Sequence, residues 1–523
     1  MTWQPELDEL KKRQELTLQM GGPEKVARHK ANGKLTVRER IAALLDAGSF
    51  REIGSVSGFA AYGADNALKS FTPTNQIIGR GTIHARTVAV SADDFTVRGG
   101  ANDGGVREKL VYVEKMANQL RLPLVRLVDG TGGGGSVKTI EVIGRAYVPE
   151  VHGWEYAVMN LATVPVVGLA LGSVAGLGAA RVASSHYSLM VKGTSQIFAA
   201  GPPVVARIGQ DVTKEELGGS AIHGRNGTVD DVVESEIEAF ARTRHFLSYL
   251  PSSVYELPAR STPADDPQRR EEKLLSAVPR DPRTVYQMRP IIRALMDQHA
   301  GRQADESSFF EIGKMWGRSV ITGFARLDGW PVAVVASDPH HYGGGWSARA
   351  SEKLVRFIDM AQTFHLPVVH LVDIPGFMIG VEAEQAATIR YGARAMAAIY
   401  QATVPWCSIL VRRAFGVAGA AHQSTGRFNI RYAWPSGEWG SLPIAGGLEA
   451  AYKADLEAST DPAAKLAEIE ARLKLFTSPF RTAEQFLVEE IIDPRETRGL
   501  LCEFVNLAAP LREVGPSRFG MRP

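Results

Sequence analysis

Apolar residues recur along this chain in two alternating rhythms. In "REKLVYVEKMANQL", Leu110, Val113, Met116 and Leu120 fall on one stripe at helical spacing. On either side lie short, mostly apolar runs without helical spacing, "TVAVSAD" (Thr87 to Asp93) and "LPLVRLVD" (Leu122 to Asp129). Short runs of this kind read as strands covered on both faces. A glycine loop follows, then a longer helix ending in "EYAVMNLA" (Glu155 to Ala162), then the strand "VPVVGLAL". Strands separated by helices imply parallel βαβ units, so the fold class is α/β.

The pattern occurs twice. "VREKLVYVEKMANQLRLPLVRLVDG" (Val106 to Gly130) aligns with "ASEKLVRFIDMAQTFHLPVVHLVDI" (Ala350 to Ile374). Glu108, Leu110, Met116, Pro123 and Asp129 meet Glu352, Leu354, Met360, Pro367 and Asp373, always 244 positions on. Gly99-Gly100 and Gly343-Gly344 keep that offset, and "ATVP" recurs at Ala162 and Ala402, 240 apart. A register held this long marks a duplicated domain. The proline- and charge-rich stretch from Pro258 to Arg283 reads as the connection. The expected organisation is one domain over 1–260, a linker over 261–284 and a second domain over 285–523.

Each half also carries a turn of small residues after a buried-looking strand: "GSVAGLGAA" (Gly172 to Ala180) and "AFGVAGAA" (Ala414 to Ala421). Neither holds a good nucleophile, acid or base. A glycine turn opening a helix leaves backbone N–H groups unpaired and aimed at whatever lies beyond the strand ends. Such groups favour negative charge, and small residues let a substrate approach the main chain. Two turns suggest two oxyanion holes serving one reaction.

Composition narrows the function. With 59 Lys+Arg against 57 Asp+Glu, nothing argues for nucleic acid or an anionic membrane. Two cysteines cannot make a disulfide framework or a four-thiolate zinc site, and they fit a reducing compartment. The charged N-terminus lacks the apolar core of a signal peptide, and the longest apolar run is broken by Pro165 and glycines. The expectation is a cytoplasmic protein. "GGGGSVKT" fails P-loop spacing, and there is no ATP-binding motif or "AMKM"-type biotinylation site. His340, His341 and Asp338 lack a third spaced ligand, so no metal is expected. His223 and His422 read first as structural histidines.

The sequence resembles the carboxyltransferase β subunits of biotin-dependent acyl-CoA carboxylases, the propionyl-CoA and methylcrotonyl-CoA group. The resemblance is carried by "GKLTVRERIAALLDAGSF", "DDFTVRGG", "GTSQIFAAGPPVV", "DVTKEELGGSAIH", "VDIPGF" and "YAWPSGE", in that order. It implies a duplicated crotonase-like fold, with acyl-CoA on the N-terminal half and biotin on the C-terminal half. It further implies an active site shared between subunits, and hence an oligomer, usually a hexamer. The implied reaction moves the carboxyl group from carboxybiotin on a partner to the α or vinylogous γ carbon of an acyl-CoA, through an enolate. Biotin then supplies the base. Family positions place main-chain donors at Gly176 and Leu177 in the first hole and at Val417 and Ala418 in the second. Gly172, Gly178, Gly416, Gly419 and Ala420 would line the substrate. A biotin carboxylase/carrier partner is required, since this chain has no means of making carboxybiotin.

The chain also departs from the family. A "DSGGAR"-type loop becomes "DGTGGGGSVKT", "AGG" becomes "AGLG", and the position that carries Asp in propionyl-CoA enzymes is Ala420. Together with Gly419 this suggests a roomier acyl pocket. Rival readings are a decarboxylase or transcarboxylase component, a CoA hydratase or isomerase, and a non-catalytic paralogue. The hydratase reading wants an acid near the first turn, and none lies between Gly172 and Ser184.

Overall fold

The computed structural model describes every residue except 1, 102–103, 131–139, 142–143, 147, 264 and 299–306. The glycine loop "DGTGGGGSVKT" therefore lies almost wholly outside the described residues. The chain divides into two compact units, Met1–Glu256 with Gly515–Pro523, and Leu257–Val514. The stretch 261–284 is packed into the second unit. Ser261 donates its amide to the Gly329 carbonyl at 3.0 Å, and Leu274 lies in the core. The terminal segment returns to the first unit, where the Gly515 amide donates to the Val254 carbonyl at 2.7 Å.

The first unit opens with helices α1 (Gln4–Leu18), α2 (Pro23–Ala31) and α3 (Val37–Leu44). Its main sheet contains β1 (Arg51–Ile53), β2 (Gln76–Ile83), β3 (Arg86–Asp93), β4 (Leu124–Val128), β5 (Val166–Ala170), β6 (Tyr187–Val191) and β7 (Asp231–Val233), in that spatial order. The first three are antiparallel neighbours and the rest run parallel. β4 and β5 are buried at every residue, which is why their sequences do not alternate. Between β3 and β4 runs α4 (Arg107–Gln119). Its Val113, Met116 and Ala117 pack on Ile78, Ala89, Leu124 and Val166. Burying each of the larger side chains is worth about 1.5–3 kcal/mol. Leu120, expected on that stripe, caps the helix and is exposed, because the chain turns at Arg121 (φ 56°) into β4. The helix before β5 is α5 (Trp154–Leu161), only two turns long in the described residues.

The second unit repeats the plan with β8 (Phe310–Ile312), β9 (Val320–Leu327), β10 (Trp330–Ser337), β11 (Val368–Ile374), β12 (Trp406–Phe415), β13 (Ile430–Ala433) and β14 (Glu490–Ile491). The duplication reaches single hydrogen bonds. Ala89 pairs with Leu124 and Ala333 with Val368, each 244 positions on. The Ala89 amide donates to Pro123 at 2.8 Å, and the Ala333 amide to Pro367 at 2.9 Å. Gly100 and Gly344 sit so close to the carbonyl oxygens of Asp129 and Asp373 that a Cβ would come within 2.3 and 2.5 Å of them. No helix among the described residues is long and apolar enough to cross a membrane.

Candidate active site: the two glycine turns

The first turn hangs on a buried ion network. "TVRE" forms a capping box: Thr36 accepts from the Glu39 amide while the Glu39 carboxylate accepts from the Thr36 amide. That fixes the start of α3 and turns Arg40 inward. Arg40 Nη1 donates to Asp129 Oδ2 at 2.8 Å, its Nε and Nη2 bind Glu236, and Nη2 also reaches the Leu171 carbonyl at 3.0 Å. One guanidinium thus ties the end of β5 to the end of β4. Lys34 Nζ lies 3.5 Å from Asp129 Oδ1, and burial lowers the Lys34 pKa. Gly172 fits beneath this network only because it has no side chain. A Cβ there would sit 1.9 Å from Asp129 Oδ1 and 2.4 Å from Lys34 Nζ. Packing alone therefore holds this position to glycine.

Beyond Gly172 the chain leaves the main sheet. Ser173–Ala175 pairs in parallel with Gln196–Phe198. Gly176 then adopts φ 56°, ψ −120°, a conformation suited to glycine, and opens α6 (Leu177–Ala183). The Gly176 amide donates to the Phe198 carbonyl at 3.1 Å. It is already engaged, which corrects its expected role as a free donor. The Leu177 and Gly178 amides occupy the first two helical positions, where the helix offers no acceptor. None meets them among the described residues.

The second turn follows the same path. The last residues of β12, Arg413–Phe415, pair in parallel with Glu438–Gly440. Gly416 (φ 62°) opens the short helix α7 (Gly416–Ala420). The amides of Val417 and Ala418 lie in its first turn and meet no acceptor among the described residues. The Val417 side chain is exposed and that of Ala418 buried. Asp373, the repeat partner of Asp129, is fully buried and holds this strand directly. Its Oδ1 accepts from the Arg413 amide (3.2 Å) and Nε (2.6 Å), and its Oδ2 from Arg412 Nε and the Tyr286 hydroxyl, both at 3.1 Å. Burial, with the Asp373 charge, pushes the Tyr286 pKa well up. Gly419 packs on its own strand: a Cβ would meet the Ala414 carbonyl carbon at 2.5 Å. Its smallness is thus a backbone requirement, and only the exposed Ala420 leaves open space.

His422 supports the turn from behind. Its Nδ1 donates to the Gly419 carbonyl at 2.6 Å, and its own carbonyl accepts from His370 Nδ1 at 2.9 Å. Burial pushes the pKa of His422 down to about 4 and that of His370 to about 3, so both are neutral at pH 7. His223 donates to the Ile197 carbonyl at 2.8 Å. Asp338 accepts from Arg289 at 2.6 Å, with His341 Nε2 3.9 Å away. The two buried aspartate networks were missed in the sequence, although Asp129 and Asp373 stand at matching repeat positions. Both turns thus present main-chain N–H groups without titratable side chains. The carboxylate packed beneath the first, Asp129, is buried under two cations.

Comparison with known proteins gives this arrangement its context. The carboxyl transferase domain family matches residues 28–519. The carboxyltransferase subunit of propionyl-CoA carboxylase from Haloferax mediterranei is 32% identical over 99% of both chains. The α subunit of methylmalonyl-CoA decarboxylase from Veillonella parvula is 31% identical over 96% of both. Among solved structures, transcarboxylase 12S, a hexamer with methylmalonyl-CoA bound, superposes with a TM-score of 0.85 at 28% identity, covering 99% of this chain and 98% of that one. A single-chain, multi-domain long-chain acyl-CoA carboxylase matches at 0.79 and 27% identity, over 95% of this chain and 48% of that one. The fold is the duplicated crotonase-like α/β fold, and the chain belongs to the carboxyl transferase family as a carboxyltransferase component of the biotin-dependent acyl-CoA carboxylase kind.

Proposed function

We propose that the two turns are paired oxyanion holes, the first made by the amides of Leu177 and Gly178, the second by those of Val417 and Ala418. The observation that carries this is their equivalence. Each pair lies one and two residues after a positive-φ glycine, Gly176 or Gly416, 240 positions apart. Gly176 itself drops out because its amide is engaged by Phe198. The shift makes the two holes register-matched.

The substrate is an acyl-CoA, held on the N-terminal unit, and biotin is received on the C-terminal unit. Biotin, carried by a partner with biotin carboxylase activity, supplies the activated carboxyl group and a nitrogen base. The chain's own part is electrostatic. One pair of amides stabilises the enolate oxygen formed when the thioester loses its α (or vinylogous γ) proton, and the other pair holds the second oxyanion. Donors fixed in a helix start need no reorganisation as charge develops. The absence of an acid or base in the turns suits a reaction whose base arrives with the cofactor.

Carboxylation is the direction we favour, from the Haloferax mediterranei relative, whose name states it. The Veillonella parvula relative supports decarboxylation as the second reading. An oligomer, as in transcarboxylase 12S, and a cytoplasmic location, from the buried, unpaired Cys407 and Cys502, complete the proposal. The test is reconstitution. The purified chain with ATP, bicarbonate and an acyl-CoA should be inactive, and a biotin carboxylase/carrier partner should restore carboxylation. Turnover by the chain alone would refute the reading.

A further inference from the structure

Each turn is held at both ends from a single strand. On the entry side, Asp129, just after β4, binds Arg40, which reaches the Leu171 carbonyl, and Asp373 in β11 accepts from the Arg413 amide. Three residues earlier on the same strands stand Arg126 and His370, 244 positions apart. Both are buried, and both reach the exit side of the turn helix. Arg126 Nη1 donates to the carbonyls of Arg181 (3.0 Å) and Ser184 (2.6 Å), at the end of α6. His370 Nδ1 donates to the His422 carbonyl at 2.9 Å, just beyond α7. The 240-residue offset of the turns carries Arg181 and Ser184 to Ala421 and Ser424, which bracket His422. Two different side chains at one repeat position thus hold the same part of the turn.

Such anchors answer a physical need. α6 has seven residues and α7 five, too few to hold a helix by their own hydrogen bonds. Donors aimed at a developing charge must stay within about 0.5 Å of their mark. A bond at the exit supplies the rigidity that a longer helix would have. The first anchor is charged: Arg126 directs Nε and Nη2 to Glu114 at 2.7 and 2.9 Å, and Glu114 also accepts from Asn160 at 3.0 Å. The second is a chain of two imidazoles. His422 Nδ1 donates to the Gly419 carbonyl at 2.6 Å, inside α7, so the bonds run from His370 through His422 to the residue after Ala418. At the position of His422 the first unit has Val182, which offers no side-chain hydrogen bond.

We propose that Arg126 in the first unit, and His370 with His422 in the second, are positioning residues that aim the main-chain donors of the two turns. Buried beneath the helices, they act through the backbone. The proposal rests on the proposed function, since it gives the paired holes their alignment.

The experiment compares asparagine with glutamine at each histidine, in the full chain reconstituted with its biotin carboxylase/carrier partner. Both replacements are neutral and polar. The amide nitrogen of asparagine stands where Nδ1 does, and that of glutamine where Nε2 does. His422→Gln and His370→Gln should each lower kcat for carboxyl transfer about 10–10²-fold, the scale of a misaimed group. KM for the acyl-CoA should stay within about twofold, as when an interaction made only in the transition state is lost. His422→Asn and His370→Asn should recover most of kcat. The double glutamine variant should be little worse than either single one, because both break the same chain of bonds. Arg126→Lys keeps a cation on Glu114 but offers one nitrogen in place of three, and kcat should fall. Leu501→Ala, in the core of the second unit, should lower the urea midpoint and leave kcat near the parent's. Amide hydrogen exchange over residues 416–421 reads the same alignment without catalysis, and it should quicken more in the glutamine variants than in Leu501→Ala. Glutamine variants with parental kcat and exchange would overturn the proposal, as would asparagine variants no better than the glutamine ones. Val417→Pro against Val417→Ala separates this failure from that of the holes. A ratio near one removes the second hole and this proposal with it; a large ratio beside parental glutamine variants removes the positioning alone.

Discussion

Removing a main-chain donor without disturbing its surroundings is seldom possible, but Leu177 allows it. It is the first residue of α6, the one helical position where proline fits: its ring sets φ near −65° and the missing N–H had no intrahelical partner. A residue before proline must avoid the α region, and Gly176 does, at φ 56°, ψ −120°. Leu177→Pro should therefore delete one oxyanion donor and leave the helix in place. Leu177→Ala is the matched control, since it truncates the same half-buried side chain and keeps the amide. Losing one such donor costs about 10²–10³ in rate, or ~2.7–4 kcal/mol of transition-state stabilisation. The side-chain change is common to both variants, so the proline/alanine ratio isolates the amide. The assay is the initial rate of carboxyl transfer with acyl-CoA and carboxylated carrier both saturating, on protein whose oligomeric state matches the parent. Val417→Pro against Val417→Ala repeats the contrast in the second turn, again at a position whose N–H lacks an intrahelical partner. A proline/alanine ratio near one at both sites, in assembled protein, would mean that the turns only pack strand against helix.

Gly172→Ala should destabilise the chain by at least about 1–3 kcal/mol, because the new methyl is driven into Asp129 and Lys34, and loss of soluble yield or a lowered melting temperature reads this. An unchanged melting temperature would refute the packing role. Asp373→Ala should cost about 3–5 kcal/mol in a urea titration, since it strands the buried guanidinium of Arg412 without its carboxylate. His370 and His422 have folded pKa values near 3 and 4, below the ordinary histidine value. Between pH 6.5 and those values the unfolded chain binds more protons, so stability is complete above pH 6.5 and falls on acidification by up to ~1.4 kcal/mol per pH unit for each histidine. The urea midpoint should drop from pH 7 to pH 5, with a smaller drop in His422→Gln; equal midpoints at both pH values would count against the buried neutral pair.

The duplicated α/β plan was legible because it is written locally. Strand runs such as "LPLVRLVD" and "LPVVHLVD" are mostly apolar and do not alternate because both their faces are buried, and that requirement falls equally on both copies. The turns were legible because glycine at Gly176 and Gly416 answers a backbone need that few other residues meet. The ion networks were not. Lys34 and Arg40 share one stretch of chain, but Asp129 and Glu236 come from two others far along it, and nothing local to any of the three announces the rest. The second network solves the same problem with adjacent arginines, Arg412 and Arg413, so even the internal repeat does not reveal it. What the two copies share is the aspartate. Had Asp129 and Asp373 been read as buried charges needing cations, the search for partners would have led to both clusters.

The one-residue shift in the proposed first hole has the same origin. Whether Gly176 or Leu177 leads the free donors depends on Phe198, 22 positions downstream, whose carbonyl comes alongside only because Gln196–Phe198 pairs with Ser173–Ala175. A motif transferred residue by residue cannot register that bond. The internal repeat can, because Val417 and Ala418 lie 240 positions from Leu177 and Gly178. Comparing a duplicated chain with itself tests an alignment in a way that comparison with relatives does not. Two copies of one backbone path must solve the same hydrogen-bonding problem, so a donor free in one and engaged in the other signals a misplaced register. The same comparison separates two reasons for glycine. Gly172 and Gly419 are each forced by a neighbour that a Cβ would strike, a carboxylate in one case and the preceding strand in the other. Gly416 has no such obstruction, and both Gly176 and Gly416 are held to glycine by their positive φ.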